Sequence, residues 1–243
     1  MHRQFGGATT MRRSSIIGIA AFATTSLALA APLAAQTTGK PECAAETPLS
    51  MVNALHTAFG EHHARAVHTK GVLLEGSFTP SRQARDLTTE PVFAGGPQPV
   101  IARFSLFAGV PTLPDNDDGA SPAGFAFKID APDGDDFDVE ANQHPDFITS
   151  TFDEFAVFLR AVGAAGKGDK APLNAFLSDH PHAREFLASR TYPASYAQAT
   201  YFGINALKFT NARGRSAFVR YRFTPRVPEH YLTPAERKSA GPT

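Results

Sequence analysis

The sequence has little cysteine, no tryptophan and no net charge. Cys43 is the single cysteine among 243 residues, which excludes an internal disulfide framework and a zinc or iron–sulfur site built from several cysteines. The 23 Lys and Arg residues balance 23 Asp and Glu residues, so no overall field attracts the chain to nucleic acid or to anionic membranes. Any partner must be recognised locally, and nucleic acid is not expected among the partners.

Residues 1–35 have the pattern of a secretory signal peptide. A short basic region at 11–13 precedes an apolar, alanine-rich run at 16–34, and small-residue cleavage sites end at Ala30 and Ala35. Two alternatives stay open: a membrane anchor, because the run is close to the ~20 residues that a span requires, and export by the twin-arginine route. Three basic residues fall in this segment, so 20 basic residues face 23 acidic ones in the remaining chain. We expect a mildly acidic protein, periplasmic or secreted, with no membrane span after cleavage.

The rest of the sequence predicts a linker at 36–48, one folded domain at 49–225 and a tail of coil at 226–243. Helical spacing predicts a helix over 49–59 with Thr47 or Ser50 as N-cap, a second that begins at Asp153 and is ended by Gly163 and Gly166, and a third within 172–189. Apolar alternation predicts strands at 67–78, 99–107, 124–129, 137–141, 204–209 and 216–223, with turns at 132–134 and 211–214. This order indicates an α+β fold with mostly antiparallel pairing.

Several standard catalytic motifs are absent from the sequence. It contains no G-x-S-x-G nucleophile elbow, no phosphate-binding glycine loop and no H-E-x-x-H zinc motif. A cluster of His56, Glu61, His62 and His63 near the end of the first helix offers metal ligands, although solvated cap residues explain it more simply. Metal binding at this cluster is therefore the weaker alternative.

Polar residues also occur within and beside the apolar strands. Arg103 and Ser105 have the same parity in one strand and therefore share a face, on which a buried charge needs a partner. His68 lies within the strand predicted at 67–78, and Asn142 follows the strand predicted at 137–141. From these residues alone, the simpler interpretation is structural: Arg103 is an edge-strand arginine, His68 a hydrogen-bonded histidine and Asn142 a loop asparagine.

Seven sequence blocks resemble, in order, segments of the haem catalases. They lie at 65–71, 103–109, 122–128, 137–145, 155, 202–203 and 207–214. The small exported catalase-related peroxidases fit best, because the chain has a signal peptide and lacks the long N-terminal arm of large catalases. The resemblance implies an antiparallel catalase-type β-barrel with flanking helices. It also implies haem b as cofactor, hydrogen peroxide as substrate and a small electron donor of unknown identity.

The resemblance also implies a role for each matching residue. His68 is the distal base, Asn142 is the distal amide, Ser105 fixes the tautomer of His68, Arg65 and Arg103 meet the haem propionates, and Phe155 lies near the distal haem face. A neutral imidazole can take a proton from the near oxygen of hydrogen peroxide and return it to the far oxygen. The Asn142 amide can orient the peroxide without adding charge.

The iron ligand that the resemblance implies is missing from the sequence. In this family a tyrosine on a helix after the matched strands, preceded by an arginine, binds the iron. None of the five tyrosines has that context; they are Tyr192, Tyr196, Tyr201, Tyr221 and Tyr231. Tyr231 is only a weak substitute. Asn205 also stands where large catalases have a histidine.

We therefore expect a barrel that lacks its last strands and exposes two sheet edges. Three explanations stay open for this pattern. The first is that the chain is a fragment or a frameshifted product. The second is a decayed relative that binds haem weakly or not at all. The third is a non-enzymatic protein that binds a ligand or partner in the open barrel.

Overall fold

The computed structural model describes residues 45–131, 134 and 136–241. The predicted signal peptide, Cys43, most of the predicted linker and the first two residues of the predicted turn at 132–134 lie outside these residues. Within the described part of the chain, no helix has the length and apolar character needed to cross a membrane.

The described residues form five α-helices and eight β-strands. The helices are α1 (Pro48–Phe59), α2 (Phe152–Gly166), α3 (Ala171–Asp179), α4 (Pro181–Ala188) and α5 (Pro234–Ser239). The strands are β1 (Gly71–Phe78), β2 (Gln98–Ser105), β3 (Gly124–Asp130), β4 (Asp136–Asn142), β5 (Tyr201–Phe202), β6 (Leu207–Thr210), β7 (Ser216–Val219) and β8 (Arg222–Phe223). The predicted α+β class is confirmed.

Six strands form one antiparallel sheet in the order β1-β2-β3-β4-β5-β8. Among the described residues β1 and β8 are its two edges and do not pair with each other, so the sheet is not closed. Strands β6 and β7 form a separate hairpin across the predicted turn at 211–214. The unclosed antiparallel sheet is the architecture expected of an incomplete barrel.

The two faces of this sheet differ in chemistry. On one face Phe104 stacks on Phe125 with ring centroids 4.7 Å apart and on Tyr196 at 5.4 Å, which builds an aromatic core. Arg103 and Ser105 project from the opposite face, because side chains alternate along a strand. The shared face predicted for this pair is confirmed, and the candidate site lies on it.

Helices α1 and α2 pack against each other beside the sheet. Thr47 is the N-cap of α1: its hydroxyl accepts from the Ser50 N–H at 3.1 Å, and its own N–H donates to the Ser50 hydroxyl at 2.7 Å. Both predicted cap candidates therefore take part in one capping box. A Cβ on Gly163 would overlap the backbone carbonyl of Thr57. The glycine therefore lets the two helices approach closely.

Several predicted boundaries are wrong. β1 begins at Gly71 instead of residue 67, because His68 has a φ of 53°, which interrupts the extended conformation. Helix α2 continues through Gly163 and ends at Gly166, since one glycine lowers helix stability by only about 1 kcal/mol. The helix predicted within 172–189 is two helices, because Pro181 cannot continue α3 and instead opens α4.

The end of the chain also differs from the prediction. The strand predicted at 216–223 divides into β7 and β8, and β8 pairs with β5 instead of extending the hairpin. The segment predicted as coil contains α5, with Pro234 in its first turn and Thr233 as its N-cap. Arg237 of α5 binds the Asp118 carboxylate at 2.6 Å and lies 3.6 Å above the Tyr192 ring. The segment therefore docks on the sheet domain.

Candidate active site

Three neighbouring strands bring Ser105, Gly124 and Asn142 into one row. Ser105 of β2 is the register partner of Gly124 of β3, and Gly124 is the partner of Asn142 of β4. Such partners lie about 5 Å apart and share one face of the sheet. A Cβ on Gly124 would lie 2.8 Å from Cε1 and Nδ1 of His68. The imidazole therefore lies directly over the middle of the row.

Backbone hydrogen bonds place His68 at this position. Its N–H donates to the Phe107 carbonyl at 2.9 Å, and the Thr69 N–H donates to the Ala108 carbonyl at 3.3 Å. The segment therefore continues the pairing before the start of β1 and past the end of β2. His68 itself has a left-handed conformation that is uncommon for residues other than glycine.

The environment of the His68 ring decides its tautomer. Nδ1 lies 3.0 Å from the Leu106 carbonyl oxygen, which only accepts hydrogen bonds, so Nδ1 carries the proton and donates. The Ser105 hydroxyl lies 3.1 Å from the same nitrogen. The predicted pairing of Ser105 with His68 is present, and Nε2 is left with a free electron pair.

Burial, together with the smaller effects of the Arg103 and Arg65 charges, lowers the pKa of His68 to about 4, against the opposing effect of the Leu106 carbonyl. The imidazole is therefore neutral at neutral pH. A neutral ring with an unprotonated Nε2 is the state in which histidine acts as a general base.

This depressed pKa predicts a loss of stability in acid. Between pH 6.5 and about 4 the unfolded chain binds more protons at His68 than the folded chain does, so the free energy of unfolding falls as pH falls. Urea unfolding at both pH values measures this effect. Between pH 7 and pH 4.5 we expect the free energy of unfolding of the wild type to fall by about 2 kcal/mol more than that of His68→Gln. Equal losses in the two proteins would contradict the assignment.

Asn142 is oriented by the turn that follows it. The His144 backbone N–H lies 2.8 Å from Oδ1 of Asn142, so this atom is the amide oxygen. The His144 ring holds the turn, because its Nδ1 accepts from the Asp146 N–H at 3.2 Å and its Nε2 donates to Ser189 at 2.9 Å. Among the described residues the Asn142 Nδ2 has no partner, so it is available to donate a hydrogen bond.

His68 and Asn142 both line a cavity of about 270 Å³ between the sheet and the helices. Most of its other lining residues are apolar or aromatic: Phe59, Phe107, Phe147, Ile148, Phe158, Leu159, Val162, Leu173, Phe186 and Leu187. Phe155 does not line it, because its ring packs behind Phe147 at 5.0 Å and contacts the α1–α2 core. The cavity brings the predicted base and amide together and leaves Phe155 outside.

The two predicted propionate ligands, Arg65 and Arg103, are close enough for their charges to repel each other. Arg103 donates to the Thr69 carbonyl at 3.0 Å, and burial together with the charge of Arg65 lowers its pKa. Within the described residues neither guanidinium has a carboxylate at ion-pair distance. Two neighbouring cations without a counter-ion suit a ligand with two carboxylates.

None of the five tyrosines lines the cavity that holds His68. Burial raises the pKa of each of them, to about 12 for Tyr196, so none of these environments favours a phenolate. The Tyr231 hydroxyl already accepts from the Thr200 N–H at 3.2 Å and donates to Glu229 at 3.1 Å. The described residues therefore place His68 and Asn142 at the cavity without a tyrosine beside them.

The histidine cluster at the end of α1 does not form a metal site. No group of three or more His, Cys, Asp or Glu side chains in the described residues is placed to hold a metal. The His62 ring instead donates to the Phe59 carbonyl at 2.8 Å at the end of the helix. Capping, the simpler interpretation, agrees with this geometry.

Two features of the site escaped the sequence analysis. The Leu106 carbonyl that fixes the His68 tautomer is a backbone atom and leaves no side-chain signal. Gly124 did leave a signal in the sequence, because a glycine within a strand often marks a site where another group approaches the backbone closely.

Comparison with known proteins identifies the family of the chain. The family model for catalases matches residues 53–241. The chain belongs to the catalase family. It is 32% identical over 201 residues to the catalase-related peroxidase of Synechococcus elongatus. This match covers 80% of this chain and 59% of that protein. The catalase-related peroxidase of Mycolicibacterium paratuberculosis is also 32% identical, over 81% of this chain and 63% of its own length.

Solved catalases share the fold of this catalase-family chain. A bacterial catalase matches with a TM-score of 0.64 and 22% identity over 86% of this chain and 42% of its own. A fungal catalase matches with a TM-score of 0.63 and 20% identity over 72% of this chain and 36% of its own. The chain thus spans about 60% of the length of the curated peroxidases that it matches.

Proposed function

We propose that this chain carries the distal half of a haem peroxidase site and acts on hydrogen peroxide with a small organic electron donor. The observation that carries the proposal is the neutral His68, whose free Nε2 shares a cavity with Asn142. Membership of the catalase family and the catalase-related peroxidases among its relatives support it.

The residues fit haem on one side only. Arg65 and Arg103 would hold the propionates, and His68 with Asn142 would face the peroxide. Haem b would supply the iron that binds peroxide and accepts its oxidising equivalents. The tyrosines of this chain do not supply the iron ligand, so the proposal concerns the distal side.

Atoms of His68, Leu106 and Asn142 carry or support each proton transfer. Nε2 of His68 takes the proton from the near oxygen of the peroxide and returns it to the far oxygen, which leaves as water. The Leu106 carbonyl holds Nδ1–H throughout and stabilises the positive ring while it carries both protons. The Asn142 Nδ2 donates to the peroxide and orients it without altering its charge.

Addition of haem to the chain purified without its signal peptide tests the proposal. We expect a sharp Soret band and oxidation of a phenolic donor that requires hydrogen peroxide. If the chain retains no haem on a desalting column and catalyses no peroxide-dependent oxidation, the proposal fails for this chain.

A second candidate is a non-enzymatic protein that binds a small ligand. The specific observation in its favour is an apolar cavity of about 270 Å³ in a chain whose tyrosines do not provide the iron ligand. Retention of an apolar ligand without retention of haem would favour this candidate.

We further propose that the protein is periplasmic or secreted and contributes to the response to oxidative stress. The basic and apolar pattern of residues 11–35 supports export. Detection of the chain with an N-terminus near residue 31 or 36 in the periplasmic or culture fraction would test it.

A further inference from the structure

The charge of the chain is balanced overall but is not evenly distributed along the sequence. Between Glu185 and Glu229 there is no acidic residue, whereas the same stretch contains seven Lys and Arg residues. Six of these lie at 208–226 and are exposed: Lys208, Arg213, Arg215, Arg220, Arg222 and Arg226. This part of the surface therefore has a local positive field, although the net charge of the chain is zero.

The β6–β7 hairpin, which carries the first three of these cations, has an inward and an outward face. On the inward face Phe209 packs on Phe93 with ring centroids 5.7 Å apart. Lys208 and Phe218 are register partners, and side chains alternate along a strand, so both project from the opposite face. The outward face therefore presents an aromatic ring beside a cation.

Phe218 is highly exposed for an aromatic residue. Its exposed fraction is 79%, the highest among the large apolar side chains of the described residues. Arg215 is three residues away at the turn of the hairpin, about 10 Å along the strand. A partner that covered the ring would gain the hydrophobic contribution of a buried phenylalanine within reach of these cations.

The protein does not neutralise the cations of the hairpin. Within residues 45–131, 134 and 136–241 no carboxylate lies at ion-pair distance from Lys208, Arg213 or Arg215. The hairpin is held to the neighbouring segment by the Asn211 amide, which donates to the backbone carbonyl of Asp86 at 2.9 Å and not to its carboxylate. The three charges therefore remain available to an anionic partner.

We propose that the outward face of the β6–β7 hairpin binds an anionic lipid bilayer. Phe218 enters the boundary between headgroups and acyl chains, and Lys208, Arg213 and Arg215 meet the lipid phosphates. A ring flanked by cations suits this boundary, because burial of apolar area and attraction to anionic headgroups add to each other. The inference does not depend on haem or on the peroxidase function.

Two other occupants fit this surface less well. A second copy of the chain would bring Lys208 and Arg213 against like charges across a two-fold contact at Phe218. Single-stranded nucleic acid is bound by several aromatic side chains on which successive bases stack. Phe218 is the single ring on the outward face among the eight described residues of β6 and β7. A bilayer requires only one inserted ring and a cluster of positive charge.

Sedimentation with lipid vesicles tests the proposal. The chain without residues 1–35 is used, because the apolar run at 16–34 would itself enter lipid. At about 0.1 M salt we expect partition into vesicles of two parts phosphatidylcholine and one part phosphatidylglycerol to be about 100-fold stronger than into phosphatidylcholine alone. This preference should disappear at about 1 M salt, where charges are screened within about 3 Å. Absence of binding to the anionic vesicles, or equal binding to both kinds, overturns the inference.

A pair of double variants locates the electrostatic contact. Arg213→Gln with Arg215→Gln should weaken partition into the anionic vesicles about 25-fold, because each cation near such a surface contributes about fivefold. Lys167→Gln with Lys170→Gln removes the same charge from the exposed connection between α2 and α3 and should leave partition unchanged. Equal losses in the two double variants assign the attraction to net charge and overturn the inference.

Phe218→Ser tests the apolar contact. We expect it to weaken partition about tenfold, since the buried ring is lost, whereas Phe152→Ser, at a ring that is 49% exposed in the first turn of α2, should have no effect. Circular dichroism and thermal unfolding check that each variant folds. Oligothymidine or polyglutamate is the competing partner. If either binds as tightly as the anionic vesicles and Phe218→Ser weakens neither interaction, the hairpin is a general polyanion site and the inference is overturned.

Discussion

His68→Ala is expected to lower peroxide-dependent oxidation by the haem-loaded protein about 1,000-fold. The substitution removes the Nε2 that accepts and returns the proton, and a positioned general base contributes about 10²- to 10⁴-fold. Because Leu106 fixes the proton on Nδ1, no other ring atom can replace Nε2. The measurement is kcat/KM for hydrogen peroxide at pH 7 with the haem content determined by absorbance.

Gly124→Ala tests the position of the same ring. Its Cβ would lie 2.8 Å from Cε1 and Nδ1 of His68, so the imidazole must move, and a displacement of about 1 Å costs about 100-fold. The matched control is Gly76→Ala in β1, where no atom lies within 4 Å of the new Cβ, and it should keep wild-type activity. Full activity in Gly124→Ala would contradict the geometry of the row.

Gly163→Ala is expected to destabilise the fold by about 3 kcal/mol. A Cβ at this position would overlap the Thr57 carbonyl and lie 2.8 Å from the Thr57 Cγ2, so α1 and α2 must separate. Overpacking of this kind costs about 1–3 kcal/mol, and contact with backbone places it at the upper end. Thermal unfolding followed by circular dichroism should show Tm lower by about 6–12 °C.

Gly166→Ala provides the matched control in the same helix. No atom lies within 4 Å of its new Cβ, so the substitution removes only the backbone freedom of glycine in the unfolded chain. We expect the free energy of unfolding to rise by about 0.5 kcal/mol. An equal loss of stability in both variants would contradict the assignment of the Gly163→Ala effect to the α1–α2 contact.

The sequence predicted the parts of the fold that depend on local patterns. The N-cap of α1, for which Thr47 was one of two candidates, and the shared face of Arg103 and Ser105 follow from residue type and spacing alone. Two local signals were present and were not used. Pro181 marks the break between α3 and α4, and Thr233 with Glu236 forms a capping box for α5 in the segment predicted as coil.

The candidate site was predicted from family resemblance more than from residue patterns. The resemblance paired His68 with Ser105, and the 3.1 Å contact agrees with it. The left-handed φ of His68 was not predictable, because it is imposed by hydrogen bonds to Phe107 and Ala108, far along the chain. The role of Phe155 stays a prediction, because its side chain packs against both helix cores and does not line the cavity.

The open edge of the sheet has a consequence for the dynamics of the site. Strand β1 pairs only with β2, so its outer N–H and C=O groups have no partner strand among the described residues. An edge strand opens locally at a lower free energy than the centre of a sheet, and its amide protons exchange faster with solvent. The bond from the Leu106 N–H to the Lys70 carbonyl continues this pairing toward His68. We therefore expect fraying of β1 to release the imidazole at a lower free energy than global unfolding does.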